Sequence, residues 1–493
     1  MVSYRHSFKQ VGYIVMAKNR FIITLFIVFS ILQLTACQTN GALGANNANL
    51  AASNHAVNLQ GFPNNPEFFQ GSTPVIWGNL QHVSLPQLNT AIQQTTNPNT
   101  LGWLSLAVIS KQYSTNTTEL INQLIIWRAA NKDHPANALF PENSVLTSIQ
   151  NKAPPKHIVL LLPLQGALRN SGQAVRDGFL NAYYETRSAK EQQTISFLDT
   201  STSNDMIALY QQAIAQHADA VIGPLTKEQV QQLAALNNFP VPTVALNYTD
   251  VWFGSLPANF YEFGLSPLDE TKQLAEKAHQ TGHTRALLIA PNNEWGSRVG
   301  KTLTANWEAL GGSMVDTFYF NEETDLNQGI ANLLHVDPEK DATAMKKENN
   351  KQVLSEQRRH DFDVIFLLAP PESARQILPL LKYYYVEKTP VFSTSIIYSG
   401  TPAPEKDSDL NGVIFCDIPW TLQMAKSSGS KTDSRFDRLY AVGRDAYLLS
   451  SQITRLTELP NFPIYGATGA LMLTPKQQIY RRLAWAEMRD GRP

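Results

Sequence analysis

One stretch, residues 157–185, constrains the fold of this chain more than any other. It begins with a short apolar run at 158–162 and continues through a turn segment at 163–166. It then carries apolar residues at helical spacing, from Val175 to Tyr183. A short apolar run that is flanked by turn signals and followed by an amphipathic helix predicts the first half of a βαβ unit. Most of the chain after it repeats this alternation, so the sequence predicts the α/β class.

Composition and charge exclude some classes of function. The chain has 493 residues, a formal net charge of -1 and 43% hydrophobic residues, which is ordinary for a globular protein. It has no basic block and no strong charge asymmetry, and therefore nothing that indicates a nucleic-acid-binding protein. The length predicts about three domains.

The N-terminal segment has the pattern of a bacterial lipoprotein signal. Two basic residues precede an apolar run at 21–32, which is too short to span a membrane comfortably. The sequence Leu-Thr-Ala-Cys follows and ends at Cys37. We predict a signal peptide over 1–36, with Met16 as a plausible start, and a lipid attached to Cys37. A retained membrane helix with an incidental cysteine is the alternative.

The residue after the cysteine predicts the membrane. Gln38 stands where aspartate tends to retain such lipoproteins in the inner membrane, so it favours the outer membrane, with the protein facing the periplasm. If Cys37 is acylated, Cys416 has no partner within the chain for a disulfide. Cys416 lies in an apolar run and is predicted to be a small buried residue.

The chain between the lipid and the α/β region divides into two parts. Residues 37–70 have the composition of a disordered tether. Residues 71–150 are predicted to be helical, with apolar residues at helical spacing over 101–113 and 120–127. The pairing of two such helices indicates a short domain of about two tetratricopeptide-like repeats. A simple helical hairpin that links the neighbouring parts is an equally open alternative.

The α/β region is predicted to form two lobes, because a single core seldom grows past about 300 residues. Lobe one covers about 157–248 and lobe two about 265–395, after which the chain crosses back. Ser266 followed by Pro267 predicts the start of a helix. The polar segment 337–361 is predicted to be an exposed insertion, with a binding role as an open alternative.

Two loops resemble type I periplasmic binding proteins. Their first strand, loop and helix are similar to Pro163-Leu164-Gln165-Gly166 with Gly172. Their third strand and the loop after it are similar to Ile222-Gly223-Pro224-Leu225. Parallel sheets of this kind bind ligands at the carboxyl ends of their strands. The candidate cleft residues, all located just after strands, are Gln165, Gly166, Gly223, Thr226, Asn247, Asn292, Ser393 and Ser395. The alternative is that these loops only make turns, and the charged pair after Thr226 weakens a site for an amino acid.

Catalytic and metal-binding patterns are weak. Residues 428–431 match S-x-x-K, but they lie in a Ser/Gly/Lys-rich stretch, and the S-D-N and K-T-G elements of penicillin-binding enzymes do not accompany them. His279 and His283 have zinc-ligand spacing, but Gly282 interrupts the helix between them. The sequence predicts no catalytic residue, no metal and no cofactor.

A closer resemblance extends over the whole region from 157 to 493. It rests on RRHDFDVIFL at 358–367, LKYYY at 381–385, LNGV at 410–413, CDIPW at 416–420, FPI at 462–464 and LAWA at 483–486. These segments resemble the LpoA family, also called YraM or LppC. In the helical region, Gly102-Trp103-Leu104, Trp127 and His134-Pro135 are similar to the end of that family's tetratricopeptide-like domain.

The resemblance implies a regulator and not an enzyme. Its members are outer-membrane lipoproteins that bind a class A penicillin-binding protein of type 1A and stimulate its transpeptidase activity. The helical region here is shorter than in larger members, which puts the way the chain reaches its partner in doubt. The alternative function is a lipid-anchored receptor that binds a small solute between the lobes.

Overall fold

The computed structural model describes Phe62 and residues 66–186, 193–249, 256–337, 358–425 and 436–493. The predicted signal peptide, Cys37, most of the tether and of the 337–361 insertion, and the S-x-x-K match at 428–431 lie outside the described residues. Among the helices of the described ranges, none is both long and apolar enough to cross a membrane.

The first part of the described chain is helical. Its helices are α1 (Thr73–Gln81), α2 (Leu85–Gln94), α3 (Pro98–Gln112), α4 (Thr117–Ala130) and α5 (Asn143–Gln150). Their starts follow ordinary capping rules, since Ser84 and Asn97 each accept a backbone N–H of the helix that they precede. Consecutive helices pack on each other from α2 to α5. The helical region thus has more helices than the two that the apolar spacing marked most clearly.

The motif residues of the helical region meet in space. The ring of His134 packs edge-on against Trp103 and Trp127, at centroid distances of 5.0 and 5.2 Å. A Cβ on Gly102 would lie 2.6 Å from the His134 ring, so only glycine allows this approach. The indole N–H of Trp127 donates to the Gly102 carbonyl oxygen at 3.0 Å. These contacts explain why the residues occur together in the sequence.

Lobe one is a parallel sheet between two layers of helices. Its strands lie in the order β2-β1-β3-β4-β5. The elements are β1 (His157–Leu162), α6 (Arg169–Thr186), β2 (Thr194–Asp199), α7 (Met206–Ala215), β3 (Ala220–Ile222), α8 (Lys227–Ala234), β4 (Thr243–Ala245) and β5 (Phe260–Glu262). Leu160 of β1 lies opposite Phe197 on one side and Ile222 on the other. Strand β5 was not predicted, because its three residues lie in the stretch that we assigned to the crossing between lobes.

Lobe two has a second sheet, in the order β14-β10-β9-β8-β6-β7. Its elements up to residue 395 are α9 (Pro267–Gln280), β6 (Arg285–Pro291), α10 (Glu294–Ala309), β7 (Ser313–Phe320), α11 (Leu326–Leu333), β8 (Val364–Leu367), α12 (Pro371–Tyr383) and β9 (Val391–Ser393). Two strands come from beyond that residue, β10 (Val413–Asp417) and the antiparallel β14 (Ala484–Glu487). The sheet of lobe two therefore continues past the end that we predicted for it.

The remaining elements follow β9 in the chain. They are α13 (Pro404–Asp407), α14 (Pro419–Met424), α15 (Asp437–Glu458) and a small sheet of β11 (Ile464–Tyr465), β12 (Ala470–Leu473) and β13 (Ile479–Arg482). Helix α15 buries Val442, Ala446 and Ile453 in the core of lobe one. The chain thus crosses back to lobe one through α15 and returns to lobe two through β14.

The helical region is joined to the α/β region by buried polar contacts. Arg455 of α15 is 2% exposed and donates to the carbonyl oxygens of Phe462 and Ser114, at 3.1 and 3.0 Å. Phe462 also packs against Trp77, whose indole N–H donates to the Asn461 carbonyl oxygen at 2.7 Å. Burial lowers the pKa of Arg455 to about 9. This junction fixes the helical region to the end of α15.

We expect Arg455→Ala to lower the free energy of unfolding by about 2–3 kcal/mol, because two buried carbonyl oxygens lose their donor. Urea denaturation measures the loss, and limited proteolysis shows whether the helical region is released first. Lys152→Ala is the control at the same junction, since it removes only the exposed contact with Glu458 at 3.8 Å. Equal stability of the two variants would contradict this role of Arg455.

Candidate functional site

A groove of about 460 Å³ lies at the carboxyl ends of the strands of lobe one. Its apolar lining comes from Leu168, Leu225, Leu246, Leu265, Leu439 and Val442, and its polar lining from Ser171, Thr226, Lys227, Glu228 and Asn247. The loops after β3 and β4 form one wall, and the start of α15 forms another. The groove is where parallel-sheet proteins of this kind bind ligands.

Two of the eight candidate cleft residues, Thr226 and Asn247, line this groove. The Thr226 hydroxyl oxygen caps α8 by accepting the Gln229 N–H at 3.3 Å. The amide of Asn247 donates to the Leu225 carbonyl oxygen and accepts the Tyr248 N–H, both at 3.0 Å. Both side chains therefore make local contacts that shape the groove.

The other candidates of lobe one hold turns. The Gln165 amide donates to the Asp199 carboxylate at 2.9 Å. Gly166 and Gly223 have φ values of +68° and +102°, which favour glycine. A Cβ on Gly223 would also lie 2.2 Å from the Leu161 carbonyl oxygen. The two glycines thus have a conformational reason for their residue type, and Gln165 has a side-chain hydrogen bond.

The candidates of lobe two lie apart from the groove lining. Asn292 is exposed after β6, where its backbone N–H donates to the Phe320 carbonyl oxygen at 2.5 Å. The hydroxyl of the buried Ser393 donates to the Leu367 carbonyl oxygen at 2.6 Å. The hydroxyl and the backbone N–H of Ser395 both donate to the Glu270 carboxylate at 2.9 Å. The serine hydroxyls are thus engaged by the protein itself.

Glu270 belongs to a polar cluster that we define as Glu270, Asp417, Arg438, Asp445 and Arg481, of which all but the half-buried Arg438 are buried. Glu270 is 8% exposed at the start of α9, and burial raises the pKa of its carboxyl to about 7. Its two hydrogen bonds from Ser395 oppose that rise. The carboxyl group holds the loop after β9 against α9.

An ion pair forms the centre of the polar cluster. Arg438, at the start of α15, donates to both carboxylate oxygens of Asp417 at 3.1 and 2.5 Å. It also donates to the carbonyl oxygens of Ser395 and Tyr398, at 3.3 and 3.0 Å. The Asp417 side chain is fully buried, and burial raises its pKa while Arg438 opposes the rise. The pair fixes the start of α15 to the end of β10.

Asp445 fixes the middle of α15 to the small sheet. It accepts the backbone N–H groups of Ala467 and Thr468 at 2.6 and 2.7 Å, and the Thr468 hydroxyl at 2.6 Å. Burial raises its pKa to about 6. Arg481 of β13 is 1% exposed, and its Nε and Nη1 atoms have no hydrogen-bond partner within the described ranges. The polar cluster thus connects α9, β10, α15 and β13.

Glu270→Gln is expected to flatten the pH dependence of stability. The folded carboxyl has a pKa of about 7, above the ordinary value of 4.5, so the folded state takes up a proton that the unfolded chain has released. The free energy of unfolding of the parent therefore falls as the pH rises from 4.5 to 7, by up to about 3 kcal/mol. Glutamine keeps the Ser395 contacts without a charge, so the variant lacks the part of this fall that Glu270 contributes. It keeps the part that Asp445 contributes, because the pKa of Asp445 is raised to about 6.

Urea denaturation between pH 4.5 and 8 measures the two profiles. Glu372→Gln, which neutralises an exposed carboxylate on α12, is the matched control and should follow the profile of the parent. A Glu270→Gln protein that loses stability with pH as steeply as the parent would show that Glu270 does not titrate in this range.

The histidines that were considered as zinc ligands do not form a metal site in the described ranges. His283 lies 3.8 Å from Asp363, and His279 packs edge-on against Trp307. No group of three or more His, Cys, Asp and Glu residues that could bind a metal ion occurs in the part of the chain that is described. Cys416 is a buried free thiol, as predicted, and burial raises its pKa well above the ordinary value.

Comparison with known proteins assigns the chain to a family. The family model described as LppC putative lipoprotein matches residues 32–491. The chain belongs to the LppC family. The resemblance that the sequence motifs indicated is thereby confirmed.

Named relatives of this LppC-family chain are known. It is 30% identical over 432 residues to the penicillin-binding protein activator LpoA of Vibrio antiquarius (strain Ex25), covering 84% of this chain and 70% of that protein. Haemophilus influenzae LpoA superposes with a TM-score of 0.56 and 26% identity, over 84% of this chain and 72% of that one. The C-domain of LpoA (YraM) from the same organism, described as a regulator of PBP1A, gives a TM-score of 0.53 and 26% identity, over 68% of this chain and 98% of that one.

The fold prediction for this LppC-family chain is confirmed. A two-lobed α/β part of the type I periplasmic-binding-protein kind follows an all-α part. Several family motifs lie in the contacts described above, since Asp417 pairs with Arg438 and Phe462 lies in the junction. No pattern in the sequence indicated Glu270, Arg438, Asp445 or Arg481 as members of the cluster. The one feature of the sequence that could have indicated the cluster is the carboxylate of Asp417, which stands at the end of an apolar run.

Proposed function

We propose that this chain is a lipoprotein regulator of peptidoglycan synthesis, which binds a class A penicillin-binding protein of type 1A and stimulates its transpeptidase activity. One observation carries the proposal. The α/β part of the chain matches the Haemophilus influenzae C-domain, a regulator of PBP1A, over 98% of that domain. The Vibrio relative, a penicillin-binding protein activator, supports the same reading over a longer part of the chain.

The proposed regulator acts by contact and not by catalysis of its own. Its buried carboxylates are engaged in holding elements together, with Glu270 bound to Ser395 and Asp445 bound to Thr468. These contacts hold elements of the α/β part together, and Arg455 joins that part to the helical region. A protein joined in this way can hold a partner in a chosen conformation, which is what an activator requires.

The proposed location is the periplasmic face of the outer membrane. The family description as a lipoprotein supports attachment of a lipid, and Cys37 with Gln38 at the predicted cleavage site supports this residue and this membrane. Labelling cells with palmitate and separating the two membranes tests the proposal. Loss of label in Cys37→Ser is the expected result, and an unlabelled parent protein or one in the inner membrane contradicts it.

The activity is tested with the cognate class A synthase and residues 38–493, which contain the compact unit Ser53–Pro493. Added chain should clearly raise the fraction of crosslinked peptides in newly made peptidoglycan. A penicillin control should abolish the crosslinks with and without the chain, because the synthase forms them. An unchanged fraction with the correct synthase rejects the proposal.

The solute-receptor alternative predicts a different result. It requires polar groups that are free to grip a small ligand, yet Asn247, Ser393 and Ser395 already bind the protein. A rise in melting temperature with amino acids or wall fragments, together with no effect on crosslinking, would favour that alternative.

A further inference from the structure

A strip of cations and aromatic rings lies where the helical region meets the small sheet and α9. We call it the cationic junction and define it as Lys111 of α3, Lys272 and Lys277 of α9, Arg482 of β13, and the rings of Tyr465, Tyr480 and Trp485. Residues directly opposite in an antiparallel ladder share a face. Tyr465 pairs with Ala470, Ala470 with Arg482 and Met472 with Tyr480, so Tyr465, Tyr480 and Arg482 share one face of the small sheet.

Each lysine of the cationic junction lies over a ring. The Nζ atom is 4.4 Å from the Tyr465 centroid for Lys111, 5.6 Å from that of Tyr480 for Lys272, and 5.8 Å from that of Trp485 for Lys277. Lys111 also donates to the Tyr465 hydroxyl at 2.8 Å and to the Gln81 carbonyl oxygen at 2.9 Å. These contacts hold the lysine side chains in place, and none of them is made to a carboxylate.

The positive charge of the cationic junction is only partly balanced, by Glu276, which faces Lys272 and Arg482, and by Asp269, which faces Lys272. Within the described ranges, Lys111, Lys277 and Arg482 have no carboxylate at ion-pair distance, and Lys272 has only Glu276 at 3.9 Å. Arg482 contacts the Met472 sulfur at 3.4 Å, and its Nη1 atom is buried without a hydrogen-bond partner. Burial first, and then the charge of Arg482, lowers the pKa of Lys111 to about 7. An anion bound beside these cations would relieve this repulsion.

We propose that the cationic junction binds an acidic peptide segment of the synthase. This inference rests on the proposed function. The cations are spread over α3, α9 and β13, so they suit an extended chain of carboxylates better than one small anion. The lysines already cover the aromatic rings, which disfavours stacking of a sugar from a glycan strand. A segment bound here would contact both the helical region and lobe two, which the Arg455 contacts hold in a fixed relation.

The test compares two double variants with the same change in charge. Lys272→Glu/Lys277→Glu reverses two cations of the junction, while Lys301→Glu/Lys382→Glu reverses two exposed lysines on α10 and α12. The Kd for the cognate class A synthase is measured by biolayer interferometry with residues 38–493 at low and high salt. We expect the first variant to bind at least about tenfold more weakly and with less salt dependence, and the control to bind within about twofold of the parent.

The outcomes separate the two proposals. If the parent does not bind or activate the synthase, the proposed function fails. If the parent binds and Lys272→Glu/Lys277→Glu binds equally well, the cationic junction is not the binding surface. If that variant does not fold, as judged by thermal unfolding, Lys272→Gln/Lys277→Gln replaces it, with an expected loss of about threefold in affinity. Equal losses in the junction variant and in the control would also reject the assignment.

Discussion

Gly443→Ala is expected to lower the free energy of unfolding by about 3 kcal/mol, although alanine is the better helix former. A Cβ at Gly443 would lie 2.0 Å from the Val175 carbonyl oxygen, and a Cβ at Gly178 would lie 1.9 Å from that of Tyr440. Helices α6 and α15 therefore cross with their backbones in contact. A methyl group at this crossing separates the helices and opens the core of lobe one, which urea denaturation measures.

Gly78→Ala is the matched control for this prediction. Gly78 also lies inside a helix, α1, but nothing lies within 4 Å of the Cβ that alanine would add. Helix propensity alone therefore determines the effect of this substitution, and we expect the free energy of unfolding to rise by about 0.5–1 kcal/mol. The diagnostic result is a lower free energy of unfolding for Gly443→Ala and a higher one for Gly78→Ala. A Gly443→Ala protein as stable as Gly78→Ala would contradict the close crossing of α6 and α15.

Arg438→Ala is expected to lower the free energy of unfolding by about 3–5 kcal/mol, because it leaves the buried carboxylate of Asp417 without its cation. Asp417 then keeps the Ile418 N–H at 2.7 Å as a donor. Without the arginine its pKa rises further, so the folded variant binds a proton more readily. The loss should consequently be smaller at pH 5 than at pH 8, and urea denaturation at both pH values measures it.

Two further variants show whether the loss comes from the uncompensated charge. Arg438→Met/Asp417→Asn removes both charges, and should recover much of the stability that Arg438→Ala loses. Arg489→Ala removes an arginine whose exposed side chain binds Glu487 at the surface, and should have little effect. If Arg438→Ala is as mild as Arg489→Ala, the ion pair does not hold α15 to β10.

Much of the local structure could be predicted from the sequence. Apolar runs between turn signals placed β1, β3 and β6, and the Ser266-Pro267 pair placed the start of α9 at its observed residue. These signals depend on neighbours within a few residues, because burial of a strand or capping of a helix is a local pattern. Strands β5 and β14 were not predicted, because β5 lies in the stretch assigned to the crossing between lobes and β14 joins its sheet from the far end of the chain.

The contacts of the candidate site could not be predicted from such local patterns. The sequence predicted that Ser393 and Ser395 line a cleft, but neither serine belongs to the groove lining. The hydroxyl of Ser395 is bound to Glu270, which is 125 positions away in the chain. The contact between Arg455 and Ser114 spans 341 positions. Local periodicity cannot indicate pairs at these separations.

By itself, the sequence determined the alternation of strands and helices, the capped starts of helices, the lipoprotein-like leader and, through its motifs, the family. The tertiary structure alone decided which charges are buried together, how α15 connects lobe one with the helical region, and which cations meet at the junction. The physical reason is that propensity and hydrophobic pattern act along the chain. Partners for buried charges are chosen by packing between distant segments, where desolvation makes each pairing obligatory.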